Sequence, residues 1–425
     1  MIEKQPSCDD VAEPELLPVS VAQQRLFESL KPLTTVERVS IDEALFRVLS
    51  EGVVSPMDVP AQANSAMDGY ALSSASIPST GEASLTVVGT AWAGRPYNSE
   101  IRVGECVRIY TGAIMPAGTD TVVIQEHVRA TDDEIDIDSD VTAAKNVRMA
   151  GEDVEEGQEI LAKGRSLQAA DIGVMASLGI KSVNVFRRLK VAFFTTGDEL
   201  QSLELHKPED SLAPGMLFDS NRHTLAAMLK TLHLEIIDLG IVRDNEEDTR
   251  QALLKASELA DLIVTSGGVS AGDADFVTRA FHDLGDVSFW KLAMRPGRPL
   301  AFGKIGEAAF FGLPGNPVAV MVTFLQFVQP ALRFLSGNTD IFAMEIPARC
   351  LSKLRKSQGR VEYQRGVMRL DENGELVVES TGKQGAGRLS SMSRANCLIV
   401  IAAEKDGVVP GDKVMVQPFR GLMSA

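Results

Sequence analysis

Apolar and polar positions between residues 189 and 335 follow two alternating periods. Short apolar runs, each followed by turn-forming residues, predict strands at 189–195, 235–239, 262–265, 287–294, 299–302 and 308–311. Segments with apolar positions three or four residues apart predict helices at 220–232, 246–259, 276–284 and 318–335. This alternation is typical of a doubly wound α/β domain with a largely parallel sheet, in which ligands bind at the carboxyl ends of the strands.

The regions before residue 189 and after residue 335 have a different pattern of apolar and polar positions. Short alternating segments near 85–88, 106–110 and 121–125, with a solvated hairpin over the acidic run 132–140, indicate a β-rich domain. Helices predicted near 20–30, 41–49 and 167–178, with a strand at 34–39, suggest one discontinuous, elongated helical domain around that insertion. Short strands return after residue 337 and predict a C-terminal β-barrel or sandwich.

A chain of 425 residues is too long for a single core, so several domains are expected. We therefore predict a multidomain α/β and β protein. Its predicted domains are 20–54 together with 150–185, then 55–149, 186–337 and 338–425.

The charge balance restricts the classes of partner. With 42 basic and 58 acidic residues the net charge is −16, which argues against general binding to nucleic acid or to an anionic membrane. An anionic ligand would therefore need a local cluster of cations. The four cysteines are scattered and predict neither a disulfide framework nor a zinc site. No signal peptide and no run of 18 apolar residues is visible, so a cytoplasmic location is expected.

The segment 262–275 combines an apolar run with a glycine-rich turn and two acids. Backbone N–H groups at Gly267 and Gly268, after Ser266, would suit a phosphate at a strand-to-helix turn. Because Asp273 and Asp275 would repel a bare phosphate, the turn makes more sense with Mg²⁺ between acid and anion. The alternative is an ordinary loop of an α/β sheet.

Two more acids follow predicted strands. Glu199 closes the first strand of the α/β region and could share Mg²⁺ with Asp275, because this cation prefers carboxylate and phosphate oxygens. Asp244 follows the next strand and has two interpretations, a functional acid or the N-cap of the helix that begins near residue 246.

Cations cluster between residues 291 and 299. Lys291 and Arg295 would share one face of a strand, and a Pro-Gly turn would return Arg298 toward them, forming a cradle for an oxyanion. A solvated strand edge is the alternative. Pro314 and Pro317 make a rigid turn before the long apolar helix, which could present N–H groups to a ligand or could be only a helix start.

These motifs jointly resemble one family, MoeA, the molybdopterin molybdenumtransferases of molybdenum cofactor biosynthesis. The matching segments keep the family's order over nearly the whole chain, at 64–71, 108–116, 195–200, 219–221, 265–275, 291–299, 313–317, 363–366, 390–392 and 395–396.

The resemblance implies a central MogA-like α/β domain, an elongated helical domain with a β-rich insertion, and a C-terminal β-barrel. It implies a homodimer with active sites between subunits, and transient contact with a molybdopterin adenylyltransferase and downstream cofactor-maturation proteins. The implied reaction inserts molybdenum from molybdate into adenylylated molybdopterin, with Mg²⁺-dependent release of AMP.

The resemblance also implies roles for individual residues. The implied catalytic residues are Asp68, Glu199, Asp244, Asp275 and Lys291, with Glu199 and Asp275 near Mg²⁺. The implied substrate-binding residues are Thr111, Asn221, Ser266, Gly267, Gly268, Arg295, Arg298, Pro314, Pro317, Arg365 and Ser391.

The chain departs from the family pattern in three places. Ala386 stands where a serine is expected, 201–214 is an extended loop beside Glu199, and arginines replace the commoner lysines at 295 and 298. Two rival functions are a molybdopterin adenylyltransferase, for which the α/β domain alone would suffice, and a carrier that binds molybdopterin without converting it. The β-rich domains argue against the first, and the acids suited to Mg²⁺ argue against the second.

Overall fold

The computed structural model describes residues 16–204, 206–207, 211–268 and 284–419. Asp275 and the predicted helix at 276–284, apart from its last residue, lie outside the described residues.

The first domain is built from two segments of the chain that pair with each other. Its strands are β1 (Val36–Ser40), β2 (Val53–Val54), β11 (Glu159–Leu161) and β12 (Ser182–Phe186), and its helix is α2 (Ala169–Ser177). Strand β1 pairs antiparallel with β12, and β2 pairs antiparallel with β11. Buried side chains such as Leu49, Leu161 and Met175 fill the space between these pairs and α2.

This domain is less helical than predicted. Instead of a helix at 41–49, the structure has a single 3-10 turn, Ile41–Glu43. Phe46 adopts a left-handed backbone with φ 62°. The N–H groups of Phe46 and Leu49 donate to the carbonyls of Leu167 and Arg165, so the backbone bonds across the domain rather than along a helix.

The N-terminal helix α1 (Val19–Ser29) packs elsewhere than predicted. Its buried side chains Ala22 and Leu26 belong to the hydrophobic core of the α/β domain, not to the core around α2. Leu17, two residues before this helix begins, exchanges backbone hydrogen bonds with Lys291 and Ala293. The helix is therefore anchored on the central domain.

The insertion is β-rich, as predicted. Its strands are β3 (Asn64–Ser65), β4 (Gly69–Leu72), β5 (Glu82–Ala91), β6 (Glu105–Ile109), β7 (Thr121–Ile124), β8 (Arg129–Ala130), β9 (Glu134–Asp138) and β10 (Val147–Arg148). Six of them form one sheet in the order β7-β4-β6-β5-β9-β8. The acidic run forms the predicted hairpin, because β8 pairs antiparallel with β9.

The central domain contains a six-stranded sheet in the order β16-β13-β17-β21-β20-β18. The strands of the domain are β13 (Lys190–Thr196), β14 (Leu200–Gln201), β15 (Leu217–Phe218), β16 (Glu235–Val242), β17 (Leu262–Ser266), β18 (Gly285–Lys291), β20 (Pro299–Ile305) and β21 (Ala308–Leu313). The first four strands of the sheet are parallel, and β20 runs antiparallel to both its neighbours. The predicted α/β architecture is confirmed.

Helices cover both faces of this sheet. They are α3 (Ser220–Lys230), α4 (Glu246–Leu259) and α5 (Pro317–Leu335), the last with a π turn at Phe324–Val328. Successive residues of β13 alternate between two cores, with Phe193 on the side of α3 and α5 and Phe194 on the side of α4. Within the described residues α5 is the one helix long and apolar enough to span a membrane. It is a core helix, because 89% of its apolar window is buried inside the protein.

The predicted strand at 287–294 is interrupted. Strand β18 ends at Lys291, and the following short strand β19 (Met294–Arg295) joins a different sheet by pairing with the C-terminal domain. The chain leaves the central sheet because the Leu292 N–H donates to Arg298 and the Ala293 N–H donates to Leu17.

The C-terminal domain is a closed barrel. It contains β22 (Ile346–Cys350), β23 (Leu354–Arg355), β24 (Val361–Leu370), β25 (Leu376–Ser380), β26 (Cys397–Ile401), β27 (Gly407–Val408) and β28 (Lys413–Pro418), with the short helix α6 (Leu389–Arg394). The order β24-β25-β22-β28-β26 closes because β26 also pairs with β24. Of the two predicted alternatives, the barrel is the one observed.

Candidate functional site

A cleft of about 530 Å³ opens at the carboxyl ends of the parallel strands. It is lined by Thr196, Gly197, Glu199, Leu200, Asn221, Asp244, Ser266, Gly267, Gly268, Arg295, Pro296, Gly297, Arg298, Pro299, Pro314, Gly315, Asn316, Ala319, Gln384 and Ala386. This is the position expected for a ligand in a doubly wound sheet, because the loops after adjacent parallel strands converge there.

Acids from two strand ends stand on one side of the cleft. Glu199 follows β13 by three residues and is exposed, and Asp244 follows β16 by two. The residue that caps α4 is Asn245, whose side chain accepts the Asp248 N–H at 2.9 Å. Of the two interpretations of Asp244, the helix cap is therefore wrong, and its position in the cleft supports the functional one.

The glycine-rich turn differs from the prediction in one respect. The Gly267 N–H donates to the Leu313 carbonyl at 3.2 Å, so it is not available to an anion. Glycine is required there for a different reason. Its φ is +102°, and a Cβ would lie 2.4 Å from the Thr196 carbonyl oxygen. The turn allows β13 and β17 to approach closely at the floor of the cleft.

The side chain of Asn221, in the first turn of α3, connects the loops at the floor of the cleft by hydrogen bonds. Its Nδ2 donates to Ser266 Oγ at 3.0 Å and to the Gly315 carbonyl at 2.8 Å, and Ser266 Oγ donates to the Pro314 carbonyl at 3.2 Å. Three loops that are far apart in sequence are thereby held in one arrangement. Within the described part of the chain, the buried Asn221 Oδ1 and Thr196 Oγ1 atoms have no hydrogen-bond partner.

Cations stand on the opposite side of the cleft. Arg295 and Arg298 are both exposed and flank a Pro-Gly turn, in which Gly297 has φ +93°. Arg295 Nη1 lies 3.5 Å from the buried carboxylate of Glu362, which belongs to the barrel. Because this side chain remains 61% exposed, most of its donor capacity is open to a ligand.

A second cavity of about 300 Å³ continues from the cleft into the barrel and shares Arg295, Pro296 and Gln384 with it. Arg365 lies at its base and is 1% exposed. Its Nε donates to Ser391 Oγ at 3.0 Å, and its Nη2 donates to the Gly385 carbonyl at 3.2 Å. Burial, together with the nearby charge of Arg295, lowers the pKa of Arg365 to about 10.

Two predicted residues pair in the β-rich domain instead. Asp68 Oδ1 accepts hydrogen bonds from the backbone N–H and the hydroxyl of Thr111, both at 2.8 Å. The Thr111 backbone hydrogen bond, followed by that of its hydroxyl, holds the pKa of Asp68 below its ordinary value. Within the described part of the chain, no residue of 55–149 lines the cleft.

The structure thus brings most of the predicted site together. The predicted residues that line the cleft are Glu199, Asn221, Asp244, Ser266, Gly267, Gly268, Arg295, Arg298 and Pro314. Arg365 lines the adjoining cavity and Ser391 accepts a hydrogen bond from it, whereas Lys291 and Pro317 do not line the cleft. Lys291 ends β18, and its carbonyl is bonded to Leu17.

Several residues of these cavities were not predicted. Thr196, Pro296 and Gly297 fall within segments singled out by sequence, but only their neighbours were chosen as functional. Gln384 lies in the same loop as Ala386, and its side chain forms hydrogen bonds with the backbone N–H and carbonyl of Arg365. Lys353 and Arg355 of the barrel add two cations to the lining of the adjoining cavity. Their one signal in the sequence is the alternating Lys-Leu-Arg pattern.

The donor set of the cleft suits a hard cation. No group of three or more His, Cys, Asp or Glu side chains within the described ranges is arranged to hold a metal. Mg²⁺, however, is commonly bound through one or two carboxylates, water and substrate phosphates. Glu199 and the unpartnered oxygens of Thr196 and Asn221 are ligands of that kind.

The fold and the cleft together define a multidomain protein whose α/β sheet carries, at its edge, a cleft lined by acids and arginines. Comparisons with known families agree with this class. Residues 17–179 match the "MoeA N-terminal region (domain I and II)", 192–333 the "Probable molybdopterin binding domain", and 347–419 the "MoeA C-terminal region (domain IV)".

Whole proteins match over nearly the full length. The chain is 40% identical to a molybdopterin molybdenumtransferase of Haemophilus influenzae, over 96% of this chain and 100% of that protein. It is 34% identical to one from Nostoc, over 89% and 88%. A solved MoeA structure from Pyrococcus horikoshii aligns with a TM-score of 0.83 and 27% identity, covering 95% of this chain and 100% of that one. The chain belongs to the MoeA family of molybdopterin molybdenumtransferases and is a transferase of molybdenum cofactor biosynthesis.

Proposed function

We propose that this chain transfers molybdenum from molybdate to adenylylated molybdopterin, with Mg²⁺-dependent release of AMP. The observation that carries the proposal is the cleft itself, where acids from two strand ends face Arg295 and Arg298 across about 530 Å³. An adenylylated pterin carries a phosphoanhydride, and molybdate is a second oxyanion. A site for both must combine cations with a means of neutralising phosphoryl oxygens.

The residues divide into two groups by charge. Arg295 and Arg298 offer exposed guanidinium groups whose planar donors match oxyanions, so they orient the pterin phosphate and molybdate. Arg365, buried at the base of the adjoining cavity, supplies a fixed positive charge behind them. Asn221 and Ser266 hold the three loops of the floor in place, so the reacting groups meet a preorganised surface.

Glu199, Thr196 and Asn221 would hold Mg²⁺ on the acidic side, with Asp275 as a further ligand from outside the described residues. When bound, the cation would neutralise the phosphoryl oxygens of the anhydride that breaks to release AMP. No side chain needs to act as a nucleophile, since molybdenum and the dithiolene carry the difficult chemistry.

A homodimer is the proposed assembly. Asp68 and Thr111 form a hydrogen-bonded pair in a domain that contributes no described residue to the cleft. A second copy of the chain would bring this pair to the cleft of the first, giving sites built from two subunits. We place the reaction in the cytoplasm, with transient contacts to an adenylyltransferase that supplies the substrate and to later maturation proteins.

The decisive experiment measures AMP release from adenylylated molybdopterin by the purified full chain with Mg²⁺, with and without low micromolar molybdate. We expect release that depends on molybdate, at least about 100-fold slower in Glu199→Gln because the Mg²⁺ that would neutralise the phosphoryl oxygens loses a carboxylate ligand. Lys145→Gln, at an exposed position outside the cleft, serves as the control and should retain full activity. Tight binding of the substrate with no AMP release under any oxyanion would refute the proposal and identify a carrier.

The subunit arrangement has its own test. Asp68→Asn and Glu199→Gln chains, each inactive alone, are mixed, unfolded and refolded together. If each site uses residues from both subunits, random pairing restores about a quarter of the wild-type activity, because half the dimers hold one intact site. A mixture that stays inactive would contradict the shared site but would leave the transferase reaction standing.

A further inference from the structure

A larger cavity, of about 770 Å³, lies where the first domain meets the central domain. Its walls come from residues 46–48, 159–168 and 186–189 on one side, and from 231–234 and 329–340 on the other. Leu189 and Leu234 immediately precede β13 and β16, so the cavity is at the amino ends of strands whose carboxyl ends form the cleft. Seven residues of β13 separate the two places, about 20 Å at the rise of a strand.

The walls of this cavity concentrate positive charge on a chain whose net charge is −16. Six cations line it, against the two acids Glu159 and Asp340. The six are Arg47, Lys163, Arg165, Arg187, Arg188 and Arg333. Burial lowers the pKa of Arg333, which shows that a charge is held here against the cost of desolvation.

Three of the cations already have carboxylate partners. Arg47 pairs with Glu37, Arg165 with Asp171 at 2.9 Å, and Arg187 with Asp261 at 2.6 Å. These pairs fix the walls rather than offer charge to a ligand.

Lys163 and Arg188 differ from these three cations in their charge pairing. Among the described residues neither has an ion pair, and the Lys163 ammonium is held 5.8 Å from the centre of the Phe186 ring. Both side chains belong to exposed residues at the rim of the cavity. Two unpaired cations therefore stand beside a concave surface of a size typical of small-molecule sites.

An aromatic pair joins the two domains at the same place. The rings of Phe46 and His233 stack with their centres 4.2 Å apart and an interplanar angle of 10°. Both residues have left-handed backbones, with φ of 62° and 54°. Such conformations are costly for bulky residues and concentrate at ligand sites and switch regions.

The imidazole of His233 also lacks a partner. Its Nε2 is buried and makes no hydrogen bond within the described part of the chain. Burial, and then the charge of Arg188, lower the pKa of His233, so the ring is neutral at pH 7. A neutral imidazole can donate from Nε2, and an anionic oxygen would select the tautomer that does so.

We infer that this cavity is a second anion site, which binds a small phosphate or pyrophosphate compound between Lys163, Arg188 and His233. The ligand would bridge the first domain, through Lys163, to the central domain, through His233, with Arg188 on the segment that joins β12 to β13. The site is separate from the cleft and needs neither Mg²⁺ nor molybdate, so it does not depend on the proposed reaction.

Calorimetric titration with inorganic pyrophosphate tests the site, at fixed ionic strength and without Mg²⁺. The parent protein is the full chain carrying Arg295→Gln and Arg298→Gln, which weakens anion binding at the cleft. Adding Lys163→Gln and Arg188→Gln should weaken pyrophosphate binding at least about tenfold, because two charge-assisted hydrogen bonds are lost. The matched control adds Lys145→Gln and Lys255→Gln, exposed cations outside the cavity, and should bind as the parent does.

A spectroscopic measurement locates the ligand. In the parent protein, pyrophosphate should shift the imidazole ¹⁵N signals of one histidine, which His233→Gln identifies by its disappearance. Equal affinity in the Lys163/Arg188 variant and its control, or an unmoved His233 signal, would overturn the inference. So would a change in oligomeric state caused by Lys163→Gln and Arg188→Gln without any change in pyrophosphate binding, since a second copy of the chain would then cover these cations.

Discussion

Arg365 is expected to be kept for function and not for stability, and Arg365→Met tests this directly. The guanidinium is 1% exposed and has no carboxylate among its hydrogen-bond partners, which are Ser391 Oγ and the Gly385 carbonyl. A buried cation without an anion is held by the fold against the desolvation of its charge.

The structure gives the size of this cost. Burial, and then the charge of Arg295, lower the pKa of Arg365 from 12.5 to about 10. The difference corresponds to about 3 kcal/mol by which folding disfavours the charged form. Because the folded pKa is the lower one, the cost is fully present at every pH below about 10.

Methionine removes the charge and keeps the apolar volume. It also removes two hydrogen bonds, which contribute together roughly 3 kcal/mol at about 1.5 each for a charged donor. The two effects offset each other. We therefore expect the free energy of unfolding to change by no more than about 1 kcal/mol, whereas AMP release falls at least about 100-fold because an oxyanion loses a fixed positive charge.

Thermal unfolding and AMP release are measured on the wild type, Arg365→Met and Arg369→Met. Arg369 is an exposed residue of the same strand and should affect neither property. A fall of more than about 5 °C in melting temperature for Arg365→Met would mean that the charge stabilises the barrel. Retained activity would mean that the charge does not act on the substrate. Either result refutes the reasoning.

Three further predictions concern other parts of the protein. Asp244→Asn should lower molybdate-dependent AMP release at least about tenfold without changing the melting temperature, because Asp244 lines the cleft and does not cap α4. A change confined to stability would contradict this. Thr111→Val should raise the pKa of Asp68 toward its ordinary value, because it removes one hydrogen bond to the carboxylate. A ¹³C NMR titration measures this pKa, and an unchanged value would show that the Thr111 hydroxyl does not contribute. Gly366→Ala should destabilise the barrel by about 1–3 kcal/mol, since a Cβ would lie 2.7–2.9 Å from two side chains of neighbouring strands. Unfolding in denaturant checks this, with Gly387→Ser as a comparison at a position that has open space and no left-handed backbone.

The sequence by itself determined the elements of the central domain and the place of its cleft. Strands such as β13 and β17 were predictable because side chains on a strand alternate and buried parallel strands are continuously apolar. Their carboxyl ends converge in any doubly wound sheet. Glu199 and Asp244 could therefore be placed in one site from the strand order alone, before any contact was known.

Only the tertiary structure decided what depends on distant backbone partners. A helix was predicted at 41–49 from local pattern, but Phe46 and Leu49 donate to carbonyls more than a hundred residues away. Lys291 shared a predicted strand with Arg295, yet β18 ends between them and the two side chains part. The periodicity of a sequence reports which face of an element is buried, and not which partner satisfies its hydrogen bonds.

The two cavities outside the cleft also depend on partners that the periodicity of the sequence does not report. Arg365 became a buried charge only because the Gly385 loop and α6, which carries Ser391, pack against its side chain. Lys163 and His233 line one cavity at a domain junction from positions seventy residues apart, and neither lies in a motif. Burial and the pairing of charges are properties of three-dimensional packing, so they decide the electrostatics of a site even where its residues can be named in advance.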